Sequence, residues 1–339
     1  MKVYRYARWA LLCASAVLSS AVVAHTFPIE PMSDVVGSVK SQKTRYQDTF
    51  ADIGTAEGVG YLALVHANPG VDPWLPGDGT TIRIPTRYIL PPGPRRGIVI
   101  NLAEYRLYYY HRNDGKSSVE VFPIGIGADG KATPIARTEV KSRIKAPTWY
   151  PPKDIREEHA AEGEPIPAAI PAGPDNPLGP YALQLGVAGY FIHGTNKQFG
   201  IGTRVSHGCI RMYNPDITAL VKQVAPGTPV RIIDQPVKFG MQGATLWVEV
   251  HHEGEKLKAA TEVQLQKDAV KQLQNWKLQY PMMVIDHAAL RKALKGADGI
   301  PRQVGQLQQQ AMGENKAECT PPVPDKKSGA SQHAGSPCS

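Results

Sequence analysis

The chain has 339 residues, a formal net charge of +8 and 20% charged residues. Its 42% hydrophobic content excludes wholesale disorder, and its 30 prolines exclude a long coiled coil. Abundant Gly, Pro and Tyr with short apolar runs favour β structure, and the length allows about two to three domains.

In chain order, residues 1–24 read as a secretory signal peptide. Lys2, Arg5 and Arg8 make a basic start, Trp9 to Val23 an apolar run, and Val22-Val23-Ala24 a small-residue site for cleavage after Ala24. The run is short for a transmembrane helix. Cys13 follows Leu12 rather than the small residue of a lipoprotein box. No later segment is apolar for long enough to span a bilayer, so the expectation is an exported mature protein with no transmembrane segment. Removing the three leader cations leaves 35 basic and 30 acidic residues, or +5. That balance suits anionic wall or membrane surfaces and does not make a nucleic-acid binder. Cys209, Cys319 and Cys338 remain, an odd count for an oxidising compartment.

Residues 25–41 carry no strong pattern and read as a linker. Residues 42–86 are a compact unit in which two short helical patterns, around Tyr46 to Ile53 and Leu62 to Val65, lie between strand-like ends. Ala67-Asn68-Pro69-Gly70 supplies a turn and Ile82-Arg83-Ile84-Pro85 closes the unit. It resembles a LysM peptidoglycan-binding module; a small domain that only packs on its neighbour is the plainer reading.

Pro91 to Arg96 is a breaker-rich linker, after which the pattern becomes β. Strands are predicted over Ile98 to Leu102, Tyr105 to His111, Val119 to Ile126, Thr138 to Ala146, Tyr181 to Leu185, Tyr190 to Ile192 and Thr228 to Ile233. Asn113-Asp114-Gly115 supplies a hairpin turn. One helix runs from Asn214, read as its cap, with Pro215 in the first turn, to about Val224. The predicted architecture is a mainly β sandwich or barrel. The long Pro-rich stretch Pro151 to Pro180 is predicted to wall a binding cleft. Residues 240–305 form a C-terminal extension with a strand at Leu246 to His251 and helices within Glu255 to Gln279 and Ala288 to Leu294. Residues 306–339 have the composition of a mobile tail.

The chemistry concentrates in His193-Gly194-Thr195 and Ser206-His207-Gly208-Cys209-Ile210-Arg211-Met212. A thiolate is the reactive form of Cys, and an imidazole can take its proton. Gly lets the backbone approach a substrate, and successive N–H groups around Gly208 and Cys209 can point at an oxyanion. Zinc held by His193, His207 and Cys209 is an alternative, against which the spacing of His207 and Cys209 is short for paired ligands. A disulfide from Cys209 is another; pairing Cys319 with Cys338 in the tail would leave Cys209 free.

These two segments resemble the signature of the YkuD-type L,D-transpeptidase catalytic domain, with the likeness running over residues 96–234. The order of signal peptide, LysM-like unit and catalytic domain is similar to the periplasmic subgroup. The resemblance implies a periplasmic cysteine acyltransferase that needs no cofactor or metal and is open to carbapenem attack. It implies Cys209 as nucleophile, His193 as general base and acid, and Gly194 orienting the imidazole. His207 and Gly208 with Cys209 would line an oxyanion hole, and Arg211, Ser206 and Thr195 would contact substrate. Its partners would be peptidoglycan stem peptides and, as a further acceptor, a murein lipoprotein. A hydrolase working through the same acyl-enzyme and a non-catalytic wall-binding protein are the competing readings.

Overall fold

A computed structural model describes residues 25–308. Two strands occupy the stretch expected as a linker, β1 (His25–Pro28) and β2 (Val35–Lys43). Most of β2 faces water, so it carries no hydrophobic alternation; its register comes from backbone pairing. It is followed by α1 (Phe50–Glu57), α2 (Tyr61–Ala67) and β3 (Thr81–Ile89), and β2 pairs antiparallel with all nine residues of β3. Thr49 and Asp52 cap the start of α1 reciprocally, and Gly58 ends it in the left-handed conformation. Phe50, Leu64, Ile82 and Ile84 are buried in a core that continues into residues of the next region, such as Ile98, Ile124 and Met212.

The next region supplies β4 (Gly97–Asn101), β5 (Arg106–Asn113), β6 (Lys116–Pro123), β7 (Ile126–Gly127) and β8 (Ala136–Lys145). Asp114 and Gly115 both have positive φ, as the tight turn between β5 and β6 requires. Then come α3 (Lys153–Ala161), β9 (Tyr181–Leu185), β10 (Phe191–His193), β11 (Arg204–Ser206), β12 (Ile210–Arg211), α4 (Asn214–Gln223) and β13 (Pro229–Ile233). Nine strands form one sheet in the order β1-β6-β5-β4-β13-β8-β9-β10-β12, and β7 pairs separately with β11. The predicted mainly β class is therefore observed. Ile217, Leu220 and Val221 of α4 share a core with strand residues such as Leu183, Ile192 and Ile210. Helix α3 was not expected; only Ile155 of its nine residues is buried, so it has no apolar stripe to read.

The C-terminal region contains β14 (Val237–Gln242), β15 (Thr245–Val250), α5 (Ala259–Gln279), β16 (Met283–Ile285), α6 (His287–Gly296) and β17 (Arg302–Leu307). Its sheet runs β14-β15-β17-β16, with Leu265, Ala269, Ala293 and Leu294 packed on Val248 and Val304. The sequence pattern predicts none of β14, β16 and β17, and β17 takes in Gln306 and Leu307 from the stretch expected as a tail. The leader with Cys13 and the tail with Cys319 and Cys338 lie outside the described residues. No helix among the described residues is long and apolar enough to cross a membrane.

The three regions meet at a buried cluster of charge. Lys238 Nζ lies 2.8 Å from Glu104 Oε1 and 3.1 Å from Glu249 Oε2. Arg106 binds Glu249 Oε1 and reaches Glu104 Oε2 at 3.3 Å. The Ile89 N–H at the end of β3 donates to Glu249 at 2.6 Å, and Lys238 donates to the Ile89 carbonyl. Glu104, Glu249 and His251 are the one metal-competent trio among the described residues, and both carboxylates already face cations. Burial opposes charge on Glu249, but Lys238 and Arg106 outweigh it and hold its carboxyl well below the ordinary 4.5.

Removing one partner strands a buried charge. Lys238→Met is expected to cost about 3–5 kcal/mol in urea unfolding; an unchanged midpoint would show that the cluster does not brace the fold. A carboxyl whose folded pKa is depressed stabilises the fold above its unfolded pKa. The wild-type unfolding free energy should therefore fall as pH drops below the ordinary 4.5 of Glu.

Candidate active site

Parallel pairing of β10 with β12 builds the site. The register sets Ile192 opposite Ile210 and His193 opposite Arg211, and the Met212 N–H donates to the His193 carbonyl at 2.8 Å. Cys209, one residue before β12, thereby shares with His193 a cavity of about 370 Å³. The Pro-rich segment supplies part of its wall, including Pro152, Ile155 and Pro177. Fully buried Asn176 organises that segment. Its side-chain amide bonds the carbonyls of Pro147, Ile170 and Pro171 at 2.8, 2.9 and 3.0 Å, and its Oδ1 accepts from Leu178 N–H.

His193 is buried, with Nδ1 2.6 Å from the Gly194 carbonyl oxygen. A carbonyl only accepts, so Nδ1 carries the proton and Nε2 keeps a lone pair. Burial pushes the His193 pKa down to about 4; the Gly194 bond opposes this and the Arg211 charge adds to it. Burial pushes the Cys209 thiol up, against the Phe191 amide and Arg211. Cys209 is a free cysteine whose Sγ lies 3.6 Å from the Gly189 carbonyl oxygen. The resting pair is a neutral thiol and a neutral imidazole. The zinc alternative fails on geometry, since His193, His207 and Cys209 do not bring ligand atoms together.

The turn before the thiol is held tightly. Ser206 Oγ donates to the Cys209 carbonyl at 2.5 Å and accepts from the Gly208 N–H at 3.1 Å. Gly208 has φ +106°, and a Cβ there would sit 2.9 Å from the Tyr190 ring, so only Gly fits. One expectation changes. The Gly208 amide is occupied by Ser206, so it is not a free oxyanion donor. Ser206 is buried and braces the turn, and it also lines the Cys209 cavity.

Thr195 is also turned away. It is 1% exposed, does not line the Cys209 cavity, and its N–H and carbonyl are both bonded by the Asn214 side chain at 2.9 Å. Asn214 is correspondingly not the cap of α4. It lies inside the helix, with Tyr213 before it, and its amide ties the helix start to the loop after His193. The Asn-Pro pair signals a helix start, and nothing local distinguishes that role from a long-range one.

His207 and Arg211 lie on the cavity wall. His207 Nε2 is 2.9 Å from Glu158 of α3, which also binds Lys131 at 2.5 Å. Lys131 first and His207 second hold the exposed Glu158 carboxyl down at about 2, so it stays charged and fastens α3 beside the thiol. Arg211 is half-buried, its Nε has no acceptor, and no carboxylate pairs with it among the described residues. An unpaired guanidinium at the cavity wall is equipped to take a carboxylate.

A thiol and a correctly tautomeric imidazole in one cleft, on a mainly β scaffold, define a cysteine acyl-transfer centre. The comparisons agree. The profile of the YkuD L,D-transpeptidase catalytic domain matches residues 95–232. The chain is 45% identical to the probable L,D-transpeptidase YcfS of Escherichia coli K12, over 73% of this chain and 80% of the relative. It is 47% identical to the probable L,D-transpeptidase ErfK/SrfK of the same strain, over 71% and 79%. It is 45% identical to the probable L,D-transpeptidase YbiS, over 72% and 79%. The chain belongs to the L,D-transpeptidase family.

Two measurements probe this geometry. Iodoacetamide alkylation of Cys209 should be slow at pH 7 and climb only as pH passes the ordinary thiol value of 9.0. Fast alkylation at pH 6 would instead reveal a preformed thiolate–imidazolium pair. Glu158→Ala should release α3, seen as faster amide hydrogen exchange across residues 153–161; unchanged exchange would mean that other contacts hold it.

Proposed function

We propose that the chain is exported to the periplasm, sheds residues 1–24, and uses a LysM-like unit over residues 42–86 beside its catalytic domain. Its donor is a peptidoglycan tetrapeptide stem ending in diaminopimelate and D-Ala. Cys209 attacks the carbonyl at the L-centre of diaminopimelate while His193 Nε2 takes the thiol proton. The amides of His207 and Cys209 face the developing oxyanion. The C–N bond breaks, the imidazolium returns its proton to the leaving D-Ala amine, and a thioester remains on Cys209. A second amine, from another stem or from a lipoprotein Lys, attacks the thioester and gives its proton to His193; the C–S bond breaks, the new amide leaves, and the imidazolium returns the proton to the Cys209 thiolate. Arg211 binds a substrate carboxylate, and the Gly194 carbonyl holds the imidazole in the required tautomer. One amide replaces another, so the reaction needs no nucleotide.

The observation that supports this most is the presence, in one cavity, of a free Cys209 and a His193 whose Nε2 remains a base down to about pH 4. A base with so low a pKa keeps its neutral form throughout the working range, and transfer occurs as the sulfur attacks. Purified protein incubated with tetrapeptide stems should release D-Ala and form linked dimers. His193→Ala should slow release by about a hundredfold to ten-thousandfold. Cys209→Ala should abolish it, together with the covalent adduct that mass spectrometry detects after carbapenem treatment. Release that survives Cys209→Ala would defeat the mechanism, and release without dimers would favour hydrolysis.

A further inference from the structure

Outside the catalytic cleft, two large aromatic side chains lie half in water. Trp74 is 50% exposed and Phe199 55% exposed. Their rings stack, with centroids 5.2 Å apart and planes at 26°. Buried Tyr61 backs both, at centroid distances of 6.0 and 6.1 Å. Leu75, 73% exposed, extends the apolar surface beside Trp74. Leaving this much aromatic area in water is costly unless a ligand covers it.

The ledge is built from two regions and fixed by backbone. Trp74 lies in the loop before β3, where Asp72 Oδ1 accepts from the Trp74 and Leu75 N–H groups at 2.8 and 3.1 Å. The Phe50 N–H ties the same loop to α1 through the Pro73 carbonyl. Phe199 lies six residues after His193 in the turn Gln198–Gly200. The two regions touch through the Tyr61 N–H, which donates to the Ile201 carbonyl at 3.2 Å. At Gly202 a Cβ would sit 2.4 Å from the Tyr61 nitrogen, so the approach demands glycine.

The ledge is also continuous with the catalytic cleft. Phe199 lines a second cavity of about 660 Å³, which shares Trp149, Ile155, Pro177, His207 and Arg211 with the Cys209 cavity. Asn196 and Lys197 line that cavity next to Phe199 and supply polar groups beside the apolar rings. A pyranose ring presents one apolar C–H face and a rim of hydroxyls. An aromatic face flanked by amide and ammonium donors matches both. We propose that Trp74 and Phe199 form a stacking ledge for sugar rings of the glycan strand whose stem peptide enters the Cys209 cleft. The inference rests on the transpeptidase reading of that cleft. It assigns glycan contact to a surface shared by the N-terminal unit and the catalytic domain.

The test uses the described protein with its C-terminal residues, and glycan strands stripped of stem peptides by an amidase. Binding is read by co-sedimentation, and folding by circular dichroism and the thermal midpoint. Wild-type protein and Cys209→Ala should both bind stripped glycan. Trp74→Ala should weaken binding by about tenfold, the scale of one aromatic stacking contact. Phe199→Ala should act similarly, and Trp74→Phe should restore most of the affinity. Failure of wild-type protein to bind stripped glycan, or equal binding by folded Trp74→Ala, overturns the proposal. Carbapenem acylation of wild-type Cys209 is scored separately. Its loss with glycan binding intact sinks the transpeptidase reading, while its presence without a Trp74 effect sinks only the ledge.

Discussion

Two carboxylates buried beside two cations hold this protein together. Glu104 belongs to the nine-stranded sheet region, and Glu249 and Lys238 to the C-terminal sheet; Ile89 at the end of β3 contributes both backbone polar groups. None of these charges can face water, so each requires the others. The regions are therefore joined by geometry as well as by apolar area. The C-terminal sheet and the β2–β3 unit thus meet the region of the catalytic sheet through shared buried charges and backbone groups.

The chemistry too depends on residues brought together from distant parts of the chain. His193 and Cys209 come from different strands, and their relation is set by the short parallel pairing of β10 with β12. The loop after β10 and the turn before β12 are then tied down by side chains: Asn214 across Thr195, Ser206 across the Gly208–Cys209 turn, and Thr133 on the Gly208 carbonyl at 2.7 Å. Burial keeps both reacting groups neutral at rest. The cleft thereby avoids the cost of a buried ion pair and develops charge only as the bond forms.

The surroundings of the cleft divide the remaining work. Glu158 links α3 to His207 and Lys131 beside the cleft. Arg211 has no acidic partner among the described residues. Beyond it the cavity continues to Phe199 and the aromatic pair shared with the N-terminal unit. A polymer with charged peptides on an uncharged sugar chain would meet matching surfaces along this path.

Much of the protein was legible from the chain alone. Apolar runs bounded by turn residues marked most strands of the large sheet, Asn113-Asp114-Gly115 marked its hairpin, and the spacing of His193, His207 and Cys209 marked the reactive centre. These signals are local, because strand propensity, turn conformation and nucleophile chemistry are set by neighbouring residues. What depended on distant partners stayed hidden. Strand β2 faces water and exists through its pairing with β3; α3 buries one side chain; Asn214 looks like a cap until the loop after His193 is folded against it. Gly208 looks like an oxyanion donor until its N–H is seen to be bonded to Ser206 Oγ. The sequence by itself determined which residues could do chemistry and which segments could be strands. Only the tertiary structure decided which polar groups were left free to act, because a hydrogen-bonding group is available only when no distant part of the chain has already satisfied it.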